Sequence, residues 1–220
     1  MQTIKVALAW DWALCKYLTE DNTSAPNSEC GLDNFGMLTA EEKTSCWVEY
    51  YVTKANEKFN AAPLCVNLDI LMIPDFSCEQ SGSIYETVDV TDTGCTSNSL
   101  YSTFLGVIND MNNVSDNYLR HILAGSDVGT NIGCAKYNAL CNPNLGAASF
   151  VTGGDGWQIF AHEIGHQLGA TGHTNGKEAN QGDYIMEPWT NSGSDGFAAT
   201  SVEAMLAYIS ATVDAEGECR

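Results

Sequence analysis

Basic residues are scarce in this chain. Nine Lys and Arg stand against 28 Asp and Glu, a formal charge of −19 over 220 residues. Nucleic acid and anionic membrane surfaces repel such a chain, which excludes both as partners. Long apolar runs are missing too, and none approaches the roughly 18 residues of a membrane span. There is no C-x-x-C pair, which argues against a zinc ribbon or a thioredoxin-type site. Internal repeats and low-complexity linkers are absent. Histidine is rare: there are four, and three of them, His162, His166 and His173, fall within residues 161–173.

What is present is globular. Hydrophobic residues make up 44%, with five Trp, nine Tyr and seven Phe. A single domain of this length buries roughly 70% or more of its unfolded surface. The acidity reads first as solubility and second as a preference for basic substrates, which no segment localises. Nine scattered cysteines point to disulfides and an oxidising compartment. The odd count leaves one thiol free or paired outside this chain. Loop proximity suggests Cys15–Cys30, Cys78–Cys95 and Cys134–Cys141. Sequons at Asn22 and Asn113 are compatible with secretion. No signal peptide is present, because a charged strand-like segment follows Met1 directly. The expectation is a secreted, monomeric protein whose targeting segment lies upstream.

Strand and helix signals alternate. Ile4, Val6, Leu8 and Trp10 share one face of a period-two segment, so residues 3–10 read as a half-buried strand. Residues 11–38, rich in Asn, Ser, Gly and Asp, read as an elaborate loop. Thr39 to Glu42 is a capping box that opens a long amphipathic helix to about Asn60. Further strands are expected at 66–72, 118–124, 131–137 and 147–151, with a helix over 100–111. A second capping box, Thr200 to Glu203, opens a last helix. Strands interleaved with helices argue for an α/β layer architecture.

The histidines lie on the best-supported helix, 155–170, capped by Asp155 with Gln158 completing the box. Trp157, Phe160 or Ala161, Ile164 and Leu168 form its apolar face. His162 and His166, four apart, stack on another face, away from those core contacts. Two imidazoles one turn apart can hold one metal ion, and Glu163 lies roughly 100° around the helix, beside it. Gly169 permits a turn at φ > 0 that brings His173 back as a third ligand. Three neutral histidines leave a fourth tetrahedral position for water, the pattern of a catalytic rather than a structural zinc site. His121 stands alone in a strand-like segment and reads as structural or surface. Nothing in the sequence indicates a calcium ion.

The string from His162 to His173 resembles the extended zinc motif of the metzincin metallopeptidases. Tyr184-Ile185-Met186-Glu187-Pro188 resembles their methionine turn. Astacins and serralysins place a metal-binding tyrosine where Pro188 stands, which disfavours those branches. Residues 121–141, the opening Ile4 to Ala9 and the closing Phe197 to Ile209 look like the reprolysin branch, the snake-venom and ADAM-type proteases. Reprolysins usually follow the third histidine with Asp, and this chain has Thr174.

The resemblance implies a mixed, twisted sheet with an antiparallel edge strand and long helices packed on it. It also implies an upper part of about 1–169, a lower part of about 170–220, and a cleft between them. It implies one catalytic zinc on His162, His166 and His173, with Glu163 as general base and acid. Met186 is then packing rather than a ligand. Protein or peptide substrates would pair with an edge strand at about 131–137, including Ile132, Gly133, Cys134 and Ala135. Residues 187–197 would wall the pocket beyond the cut. The competing readings are a zinc-binding toxin or adhesion module without turnover and a structural zinc domain, which would need four protein ligands.

Overall fold

The computed structural model describes residues 1–20, 38–73, 78–79, 100–111, 113–125, 133–150, 156–170, 185–186 and 196–220. Ten elements follow in order: β1 (Gln2–Trp10), α1 (Trp12–Glu20), α2 (Ala40–Asn60), β2 (Val66–Met72), α3 (Leu100–Asn109), β3 (Leu119–Ala124), β4 (Gly133–Ala135), β5 (Ala147–Phe150), α4 (Gly156–Gln167) and α5 (Ala199–Thr212). The strands form one sheet in the order β2-β1-β3-β5-β4. All neighbours are parallel except β4, which runs antiparallel to β5 at the edge, with Gly133, Cys134 and Ala135 opposite Ser149, Ala148 and Ala147. The mixed α/β sheet with an antiparallel edge is the expected architecture.

Two apolar clusters cover the two faces of the sheet. One joins Ile4, Val6, Leu8 and Trp10 to α2 (Trp47, Tyr51, Phe59), α4 (Phe160, Ile164), Leu168 just past it and α5 (Val202, Met205, Ile209). The other joins Ala7, Ala9, Ile122 and Phe150 to Phe104 and Ile108 of α3. Strand β1 therefore has the predicted face but is not half-buried. It is central in the sheet, with helices on both sides, and Val6 to Trp10 are all buried.

Other expectations are also corrected. Residues 12–20 are helical, not loop. The Asp11 carboxylate accepts from the Leu14 amide at 2.7 Å and starts the helix, and Leu14, Cys15 and Leu18 are buried. Cys15 pairs with Cys78 and Cys141 with Cys219, which overturns all three suggested pairings. Cys46 and Cys134 are also disulfide-bonded, and among the described residues the free thiol is the exposed Cys65. The long helix opens as predicted: Thr39 Oγ1 accepts from Glu42 N, and the Glu42 carboxylate accepts from Thr39 N at 2.8 Å. The last helix begins earlier, at Ala199 after the N-cap Ala198, with no side-chain cap, so Thr200 is already inside it. Asp155 lies outside the described residues. Gln158 is buried, and the box expected between it and Asp155 lies outside the described residues with Asp155.

Candidate active site

Helix α4 carries His162, Glu163 and His166, and its burial differs from the expected two-faced pattern. Every residue from Gln158 to Ala170 is buried. The histidine face is covered by other segments of the chain. The His162 ring donates from Nδ1 to the Ile185 carbonyl at 2.7 Å, and His166 from Nδ1 to the Ala170 carbonyl at 2.9 Å. A carbonyl oxygen only accepts, so each Nδ1 carries the hydrogen and each Nε2 carries the ring lone pair. The two ring centroids are 4.6 Å apart at 89°. Orienting an imidazole through its second nitrogen is how metal-ligating histidines are set.

The glycine turn takes the expected form. Gly169 has φ +95°, its amide bonds to the His166 carbonyl at 3.0 Å, and the Ala170 amide reaches back to Gly165 at 2.9 Å. These paired bonds are a Schellman motif, which closes the helix. The residue just past the turn, Ala170, supplies the carbonyl that holds His166. The turn thus sets both the exit path and the orientation of one ring.

Met186 is buried against this helix. A Cβ added at Gly165 would lie 2.5 Å from Met186 Sδ and 3.3 Å from Phe197. The methionine segment therefore touches α4 twice, through Met186 on Gly165 and through the Ile185 carbonyl on His162. Glu163 is 5% exposed, and burial pushes its carboxyl up to about 8. Its side chain runs against Gly133 of the edge strand, where a Cβ would overlap it. Strand β4 thus lies beside the glutamate.

The sequence pattern does not single out Tyr137. Its half-exposed ring sits 4.8 Å from the His166 ring at 69°. Burial raises its phenol pKa, and the Glu163 charge adds to the shift. Its position two residues past β4, the edge strand beside α4, is the signal that marks it. The Ile185 and Ala170 carbonyls have no signal at all, because any residue offers one.

His121 is structural. It is fully buried, with Nδ1 donating to Gln167 Oε1 at 3.2 Å and Nε2 against Ser149 Oγ at 2.8 Å. Desolvation lowers its pKa to about 3, against a small opposing effect of the Gln167 bond. Ile132, His173, Thr174 and Pro188 lie outside the described residues. No group of three or more metal-capable side chains forms among the described residues.

A parallel sheet with an antiparallel edge strand beside a histidine-bearing helix, closed by a glycine turn over a buried methionine, defines a zinc metallopeptidase-type scaffold. A sequence profile described as metallo-peptidase family M12B, reprolysin-like, matches residues 29–214, and the chain belongs to that family. No curated protein matches. Among solved structures, a chain from one titled "Structure of a chaperone-substrate complex" is similar in fold, with a TM-score of 0.54 and 13% identity. The match covers 94% of this chain and 35% of that one, so this chain spans about a third of its length.

Proposed function

We propose that the chain is a secreted zinc-dependent endopeptidase that hydrolyses peptide bonds of protein substrates as a monomer. The observation that carries this reading is the pair of Nδ1–H bonds on His162 and His166. They place the hydrogen of each ring on Nδ1 and leave Nε2 as the ligating nitrogen, on rings 4.6 Å apart on the helix that also carries Glu163. Two imidazole nitrogens suit zinc, and His173 would complete the set. Zinc held there supplies an activated water and a polarised substrate carbonyl.

The chain's own residues do the rest. Glu163 takes the proton of the attacking water and gives it to the departing amine. The backbone of Gly133 to Ala135, with Ile132 before it, pairs with an extended substrate and holds the scissile bond over the histidines. Residues 187–197 wall the pocket beyond the cut, and the cleft lies between about 1–169 and 170–220. Met186 packs beneath the site without ligating. No nucleophilic Ser or Cys takes part, and the disulfides support secretion.

Replacing Glu163 with Ala should abolish peptide hydrolysis while zinc content stays near one per chain. Hydrolysis that survives this change sinks the mechanism. A wild-type chain that binds zinc yet cleaves no protein substrate makes it a silent zinc-binding module. A chelator should remove activity, and added zinc should restore it.

A further inference from the structure

We infer that Gly133 is a positioning residue for Glu163, a role that rests on the peptidase reading above. Strand β4 is three residues long and alternates its faces, so Gly133 and Ala135 point one way and Cys134 the other. The Gly133 direction is towards α4. An ideal Cβ there would lie 2.6 Å from Glu163 Cδ and 2.8 Å from its Cγ, and it would overlap Oε1. Ordinary contact needs more than 3.4 Å. The carboxyl therefore occupies the volume that any other residue at 133 would fill.

An added methyl group would move the glutamate rather than the strand. All three β4 residues pair with β5, Lys136 N bonds to Gly146 O at 3.1 Å, and Ala139 N bonds to Gln167 O at 2.9 Å. The backbone on the far side is thus pinned to both the sheet and the end of α4. Glu163, by contrast, meets position 133 with the far end of a rotatable side chain. Its surroundings are closed, so the carboxyl cannot move sideways without disturbing packed neighbours. Gly133 thus holds the base at one place beside the histidines, at the strand the substrate would pair with. A displacement of about 1 Å at a reacting group can cost on the order of 10²-fold in rate.

The test is Gly133→Ala in the zinc-loaded chain, assayed with a peptide that the wild type cleaves. The expected result is a kcat lower by about 100-fold, KM within about twofold, and unchanged zinc content. The cause is isolated by repeating the change with the acid side chain removed. Gly133→Ala combined with Glu163→Ala should unfold at no lower urea concentration than Glu163→Ala alone, because Ala at 163 lacks every Glu163 atom that a Cβ at 133 would meet.

Wild-type kcat in Gly133→Ala overturns the inference. So does an equal loss of stability from Gly133→Ala with and without the Glu163 side chain, since that means the glycine serves the strand. If Gly133→Ala does not fold, Gly133→Ala with Glu163→Ala should fold, and a failure there overturns the inference too. A wild-type chain that cleaves nothing fails the peptidase reading instead. The positioning role is then read from the Glu163 carboxyl in crystals of wild type and Gly133→Ala, where an unmoved carboxyl overturns it.

Discussion

The His166 ring donates to the carbonyl of Ala170, four residues further on and past the left-handed turn at Gly169. Helix termination and ring orientation therefore depend on the same backbone conformation. A side chain at 169 is opposed twice, because φ +95° disfavours any residue with a Cβ and that Cβ would sit 2.9 Å from Tyr208 Cβ. Gly169→Ala should cost about 1–3 kcal/mol of stability. Loss of the Ala170 orientation should weaken zinc binding by about 10–100-fold. Urea unfolding and chelator competition measure the two effects. Wild-type values in both would show that the turn tolerates a Cβ and does not set the ring.

Gly165 and Met186 form a second such pair. Gly165→Ala drives a methyl group to 2.5 Å from Met186 Sδ in a buried site, an overpacking expected to cost about 1–3 kcal/mol. Shortening the opposing side chain should relieve it. The Gly165→Ala, Met186→Ala double variant should be less destabilised than the sum of the singles by about 1 kcal/mol. Thermal unfolding of the four proteins completes the cycle. Strict additivity would mean that the two residues do not meet.

Much of the scaffold is legible in the sequence, because local chemistry specifies it. Thr39 and Glu42 make both arms of their box, and Ile4, Val6, Leu8 and Trp10 share one face of β1. The spacing of His162 and His166 puts the rings on one helix face, and Gly169 closes that helix. What is not legible comes from tertiary contact. Helix α1 is nine residues long and precedes a polar stretch that dominates its neighbourhood. The Cys15–Cys78 and Cys141–Cys219 pairs join segments 63 and 78 residues apart, which spacing cannot reveal. The overlap of a Gly133 Cβ with Glu163 follows from where the edge strand lies on α4, and an isolated glycine carries no mark of it.

The fully buried His121 links strand β3 to the end of α4, because its Nδ1–H bonds to Gln167, whose amide in turn donates to the Arg120 carbonyl at 3.0 Å. Its folded pKa of about 3 lies below the ordinary value of 6.5. The unfolded chain thus takes up a proton near pH 6.5 that the folded chain refuses. The stability due to neutral His121 is fully present above pH 6.5 and is lost as pH falls towards 3, by at most about 1.4 kcal/mol per unit. Between pH 7 and 5 the wild type should lose about 2 kcal/mol more than His121→Gln, which cannot titrate. Carboxylates and the other histidines titrate in both proteins, so the difference isolates His121. Urea unfolding midpoints across that range provide the measurement, and parallel curves for the two proteins would show that position 121 does not set the acid sensitivity.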